Sequence, residues 1–375
     1  MTNVQRRDIP LYRVHMPPEA HGALQEVLYS GQIASGPNVA RFETLLGNYL
    51  GNPYVTSTSD VSSSIVQCLY MAGVRPGDEV IASPMACLAT NMPIRNLFAN
   101  VVWCDIDPRT GNMDPNCIED LLTERTRAIL VYHWAGYPAD LDAITQVAKR
   151  FSIPVVDDAG EALGAEYHGN KIGHTGSDFT VFSFHAVRHI TTGEGAAIAF
   201  GDPNDYEHGR WLKRYGIHQP SFRDASGEID PSSEIQHAGY NNYMNHIAAT
   251  IGVTQMPYLA SIVARHQENG RFYDETLSGV PGLTLLHRLP GALPAYWVYT
   301  LLAERRDDLL RHLRSHGVYA SKVHARNDAY ACFGPRQKPL PGVDRFEATS
   351  LSIPCGWWVS AEDRERVAEL IRQGW

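Results

Sequence analysis

The chain has 375 residues, 44% of them apolar and 19% charged, which suits a packed interior divided between a large and a small domain rather than disorder. Its formal net charge of -9 is spread along the sequence without a basic block, which argues against a nucleic-acid partner. The six cysteines form no C-x-x-C pair, the N-terminal MTNVQRRDIPLYRVH lacks a signal peptide's apolar stretch, and no run approaches the ~20 apolar residues of a membrane span. A soluble cytoplasmic protein with reduced thiols and no membrane partner is expected.

From about residue 20 the sequence alternates short apolar runs with amphipathic stretches. ARFETLLGNYL (40–50) and SSSIVQCLYM (62–71) have helical spacing. After the turn at Arg75-Pro76-Gly77-Asp78, EVIAS predicts a strand, NMPIRNLFA a helix, VVWCDID a strand and CIEDLLTE a helix. AILVYH, AITQVAKRF and PVVDD continue as strand, helix and strand, followed by the apolar runs FTVFSF (179–184) and AAIAF (196–200). Such alternation implies an α/β fold, a mainly parallel central sheet with helices on both faces. Residues 1–245 would form this large domain, and 246–280 a connecting helical segment. LTLLHRL, AYWVYTLLAE, DDLLRHLRSHG, SLSIP and AEDRERVAELIRQ suggest a small α+β domain over 281–375. The polar insertion 217–237 is expected to be a loop, with a position over a site left open.

Ligands of an open parallel sheet bind at the carboxyl ends of its strands. Three segments bring polar residues there: TSTSDVSSS, VVDDAGEALG and FSFHAVRHITTGEG. Asp158 follows a run of valines, so it is either a helix cap or a carboxylate held to pair with a protonated ring nitrogen. The Ser/Thr-rich loop running into the 62–71 helix is a weak phosphate-cradle signal.

The order of YVTSTSDVSSSIVQCL, CDIDPRTGNMDP, RAILVYHWAGYPADLDAI, VVDDAGEALGAEYHGNKIGHTGSD, FSFHAVRHITTGEG and GYNNYMNHIAATIGVTQM resembles the DegT/DnrJ/StrS family of sugar aminotransferases. The likeness runs from GQIASGPNVARFE (31–43) to SIPCGWW (352–358). It implies a fold-type I transferase, aspartate aminotransferase-like, using pyridoxal or pyridoxamine phosphate (PLP or PMP). By the same resemblance Asp158 would pair with the ring nitrogen, Ser183 and Ser62 would hold the phosphate, and Cys87 and Glu161 would lie beside the ring. Asn241 would reach the neighbouring subunit's cofactor, implying a homodimer with shared sites. His324, Arg326 and Asn327 would contact a keto-sugar substrate from the small domain.

The resemblance breaks where the family's Schiff-base lysine falls, because that position is Arg188. An imine needs a primary amine that can lose its proton, and a guanidinium stays charged. Any PLP or PMP would therefore sit there non-covalently. Asp60-Val61 replaces the small entry to the phosphate loop, Cys87 an aromatic stacking residue, Glu161 a glutamine or histidine, and Tyr243 a basic residue. Lys213 is the one plausible substitute amine. A branch of the family, the sugar 3-dehydratases, also lacks the lysine and uses detachable PMP. By that analogy His189 or His185 would serve as the base, with backbone-bonded histidines as the plainer alternative. HAVRH also has a metal-like i, i+4 spacing, discounted because a strand-to-loop path is expected there; no metal is expected. Three readings stay open: a non-covalent PLP/PMP enzyme acting on a nucleotide-linked keto sugar or keto-cyclitol, a non-catalytic homologue serving as a binding or regulatory subunit, and an ordinary aminotransferase whose lysine was mutated to Arg188.

Overall fold

The computed structural model describes residues 7–375. Its seven-stranded sheet runs, edge to edge, Val55–Thr58, Ala196–Phe200, Phe179–Ser183, Val155–Asp158, Thr126–Tyr132, Glu79–Ala82 and Asn100–Trp103. The last five are mutually parallel. Ala196–Phe200 runs against both of its neighbours, so Val55–Thr58 again points the common way. Six strands therefore deliver their carboxyl ends to one crest. Strand residues are buried on both sheet faces, as helices on both sides require.

Local chemistry sets the helix starts. Asp60, Asp140, Asp202 and Asn245 cap helices Val61–Met71, Leu141–Phe151, Pro203–Leu212 and His246–Leu277, each accepting a backbone N–H of the first turn. Ser360 and Asp363 form a reciprocal capping box on Ala361–Arg372. CIEDLLTE departs from expectation: it forms two 3-10 turns, Pro115–Cys117 and Glu119–Leu121, because Leu122 turns extended before one α-helical turn can propagate. Helices Glu19–Tyr29 and Pro341–Thr349 were not foreseen.

His246–Leu277 is a single 32-residue helix, long and apolar enough to cross a membrane. Half of its most apolar window is buried, however, and it packs on Glu19–Tyr29 and Pro37–Leu50, as the central helix of a folded chain does. Beyond it, Leu283–Leu285, Tyr299–Ala303 and Ser350–Ile353 make a second, antiparallel sheet covered by Arg306–Ser315, Pro341–Thr349 and Ala361–Arg372. Ile9 and Pro10, within the 1–245 span expected for the large domain, bond to this smaller unit. Ile9 N–H donates to Gly317 O at 2.8 Å, Tyr319 N–H to Ile9 O at 3.0 Å, and the Trp358 indole to Pro10 O at 2.8 Å. Ala292–Leu293 likewise crosses back to pair with Glu166–Tyr167 of the large unit. Insertion 217–237 is largely irregular and lines, with helix Pro203–Leu212, a cavity of about 400 Å³.

Candidate active site

Asp158 ends the strand Val155–Asp158 and is 3% exposed. Its Oδ2 accepts the Thr90 hydroxyl at 2.6 Å and its Oδ1 the Gly160 N–H at 2.9 Å. Burial raises its pKa above the ordinary aspartate value, although these two bonds and Arg188 oppose the rise. Ser183 ends the adjacent strand and its Oγ accepts the His185 N–H at 3.3 Å. The bare Gly160 permits this approach: a Cβ there would lie 3.0 Å from Asp158 Oδ1 and 3.2 Å from the Ser183 Cβ. Cys87 caps helix Leu88–Asn96 beside the same carboxylate, and its thiol pKa is raised, chiefly by burial.

Next to Asp158 lies an ion pair. Arg188 donates to Glu161 Oε1 at 2.9 Å, with side chains 11% and 1% exposed. The guanidinium also lies over the Trp297 ring, 4.4 Å from its centroid. Tyr12 stacks on that ring at 4.8 Å and 16°, and the indole N–H donates to Val187 O at 2.6 Å. Arg188 is thus clamped between a carboxylate and an aromatic stack, with its buried Nε left without an acceptor. Burial works against its charge, but Glu161 and Tyr132 more than compensate and raise its pKa.

Glu161 is the hub of this cluster. Its Oε2 accepts the Ala135 N–H at 2.9 Å, and its Oε1 lies 3.1 Å from His324 Nε2. That nitrogen is also 3.0 Å from the Tyr132 hydroxyl. It can donate to Glu161 or accept from Tyr132, and not both at once. Burial pushes the Glu161 pKa up, yet His324 and Arg188 hold it below the ordinary glutamate value. The Ala135 donor comes from a tight turn with φ of +52° at Ala135 and +87° at Gly136, where a Cβ would meet Glu161 O at 2.6 Å.

The structure brings together Asp158, Ser183, Cys87, Glu161, Arg188 and His324, and moves several other expected residues away. His189 is 2% exposed, its Nε2–H donates to Ala295 O at 3.1 Å, and its ring packs on His266 at 4.6 Å. Burial drops its pKa to about 4. It is a neutral core histidine instead of the expected base. His185 is half-exposed and faces Glu194 at 3.4 Å. Arg326 and Asn327 are corrections too. Arg326 is buried in ion pairs with Asp328 (2.6 Å) and Asp344, while Asn327 donates to Ala86 O at 2.9 Å and accepts from Asn91. Asn327 thereby braces the loop before Cys87, and Arg326 ties its own turn to helix Pro341–Thr349.

Ser62 donates to Ala89 O at 3.2 Å, and the Asp60 carboxylate is consumed by Ser63 N–H, Ser63 Oγ and Ser59 Oγ at 2.7–2.9 Å. Asn241 is exposed; its buried neighbour Asn242 instead accepts from Ser59 Oγ at 2.8 Å. Lys213 donates to Glu43 and Ser57 O, each at 3.0 Å, and to Thr56. It lines a cavity of about 290 Å³ with Tyr243. HAVRH follows a turn and irregular path after its strand, and among the described residues no cluster of three His, Cys, Asp or Glu is placed to hold a metal. Tyr12, Thr90, Tyr132 and Trp297 were missed. Only Tyr132, at a strand's carboxyl end, carried a signal that could have found it.

A parallel sheet with a buried aspartate at its crest, a long linking helix and a small antiparallel unit define an α/β transferase of fold type I. A model of the DegT/DnrJ/EryC1/StrS aminotransferase family matches residues 15–372, and the chain belongs to that family. The UDP-4-amino-4-deoxy-L-arabinose–oxoglutarate aminotransferase of Shewanella sediminis is 31% identical over 97% of both chains. The dTDP-3-amino-3,4,6-trideoxy-alpha-D-glucose transaminase of Streptomyces venezuelae is 30% identical over 95% of this chain and 92% of its own. Among solved structures, the sugar aminotransferase CalS13 from Micromonospora echinospora superposes with a TM-score of 0.93 at 34% identity, covering 98% of this chain and all of the other.

Proposed function

We propose that this protein is a lysine-less sugar aminotransferase homologue that holds PLP or PMP without a covalent bond and acts on a nucleotide-linked keto sugar or keto-cyclitol. The observation that carries the reading is the Arg188–Glu161 pair standing beside an intact, buried Asp158. The crest residues fit a pyridine ring held non-covalently. Each Asp158 oxygen accepts one bond and keeps a lone pair, enough to take the proton of a ring N–H. They do not fit a tethered ring, because the guanidinium at the tether position forms no imine.

When bound, the vitamin supplies an electron-accepting ring and, as PMP, an amine for a keto carbon. Asp158 would hold the ring nitrogen protonated, and Ser183 and Ser62 would meet the phosphate. Arg188 would orient an anionic or hydroxyl group through its spare Nε–H. We assign the proton-carrying role to His324 in place of His189 and His185, since its Nε2 already has a partner for either protonation state. Asn241, exposed in the single chain, would complete a partner's site in a homodimer. A cytoplasmic setting goes with this reading.

The test is a titration with PMP followed by absorbance, then PLP with borohydride and peptide mass mapping. Retained near-ultraviolet absorbance with no lysine adduct supports the proposal; an adduct on Lys213 or another lysine refutes it. The spent Asp60 carboxylate favours a second reading, a non-catalytic binding or regulatory subunit. It stands where a phosphate would be received and repels one. No uptake of millimolar PMP, with or without a nucleotide sugar, would select that alternative.

A further inference from the structure

Away from the crest, two cysteines meet on a loop that joins the two units. Cys104 directly follows the strand Asn100–Trp103, and Cys117 closes the 3-10 turn Pro115–Cys117. Between them the chain doubles back as a short ladder: Asp114 N–H donates to Asp105 O and Asp107 N–H to Asn112 O, both at 3.0 Å, and Ile106 bridges Met113. The Asp114 carbonyl then gathers the two cysteines, accepting Cys117 N–H at 3.1 Å and lying 3.6 Å from Cys104 Sγ. Cys104 is wholly buried, whereas Cys117 is half-buried and open to small solutes.

We propose that Cys117 and Cys104 are a peroxide-responsive thiol pair that closes to an intramolecular disulfide. The Asp114 carbonyl brings the Cys104 sulfur and the Cys117 backbone to one point; the interaction of the neighbouring thiols, ahead of burial, lowers the Cys117 pKa and raises that of Cys104. The more exposed sulfur is thus the better nucleophile and the buried one its resolving partner. The Cys117 thiolate bonds to one peroxide oxygen as the O–O bond breaks, leaving a sulfenic acid and hydroxide, which takes a proton to become water. The Cys104 sulfur then attacks Cys117, the S–O bond breaks, and the hydroxyl leaves with the Cys104 proton as a second water. Two thiols are oxidised and one hydrogen peroxide is reduced.

The loop so closed carries Asp105, whose carboxylate accepts Gly342 and Val343 N–H at 2.9 Å from the start of helix Pro341–Thr349. Oxidation would lock the strut by which the large sheet holds the smaller unit.

The experiment uses the full-length protein carrying Cys332→Ser, which removes the exposed thiol. Hydrogen peroxide at one to a few equivalents should remove two thiols on titration of the unfolded protein and yield a Cys104–Cys117 cross-linked peptide, reversed by dithiothreitol. Cys117→Ser should lose no thiol at that dose, and Cys104→Ser should leave Cys117 trapped as a dimedone adduct. Loss of two thiols in Cys117→Ser as well, or over-oxidation of Cys117 in the parent without any cross-linked peptide, overturns the proposal. Because the Cys117→Ser arm changes a half-buried side chain, the outcome does not hinge on a core substitution folding.

Discussion

At the residue scale, Glu161 and Arg188 are complementary charges removed from water together, so either one alone is costly. Glu161→Gln should destabilise the protein by about 3 kcal/mol, because it leaves a buried guanidinium unpaired. Urea denaturation at neutral pH measures this, and Arg188→Met combined with Glu161→Gln should recover most of the loss. A double variant as unstable as the single one would show that the pair is not coupled. His189 sets a pH dependence of definite sign. Its folded pKa is about 4 against ~6.5 in an unfolded chain, so between these values the unfolded state binds the extra proton. Stability should be full above pH ~6.5 and fall by about 3 kcal/mol as pH drops toward 4, with a shallower slope in His189→Gln. Urea midpoints from pH 7 to 4 would reveal it. Glu161 adds a loss at lower pH: its depressed pKa contributes stability above the ordinary glutamate range that disappears as pH falls through the folded value.

Helix Val61–Met71 shows how one cap can serve structure against ligand. Asp60 satisfies the first-turn donor of Ser63 and complements the positive end of the helix dipole. Asp60→Ala should therefore cost about 1 kcal/mol of stability. It should at the same time tighten PMP, by removing a like charge from the phosphate's approach. Paired denaturation and PMP titrations separate the two effects; a variant that loses stability with no gain in affinity would place the phosphate elsewhere. The turn after strand Thr126–Tyr132 is a second such element. His133 Nδ1 accepts Ala139 N–H at 3.0 Å, so its proton sits on Nε2, which faces the wholly buried Asp157 at 3.8 Å. This buttress holds the turn whose Ala135 N–H orients Glu161. The strand and helix boundaries around it were legible from apolar period and turn residues, but the turn's φ values and its aim at Glu161 were not, since both depend on what packs against Gly136.

For the whole molecule, the shared-site reading predicts a stable dimer by sedimentation at micromolar concentration. Asn241→Ala should weaken PMP binding several-fold while leaving the urea midpoint unchanged, because the side chain is exposed in the single chain. Equal affinity in the variant would confine the site to one subunit.

Most of the strand and helix order, the crest carboxylate Asp158 and the presence of an arginine at 188 were written in the linear text, because apolar period, capping residues and side-chain identity are local properties. Which histidine faces the site was decided only in three dimensions. His189 and His324 look alike in sequence, yet one is sealed against Ala295 and His266 while the other meets Glu161 across 163 positions of chain. The same holds for Arg326, turned inward onto Asp328 and Asp344, and for Tyr12, carried to the crest by a segment that belongs with the far end of the chain. A side chain's direction is set by packing against distant partners, and no window of neighbouring residues contains that information.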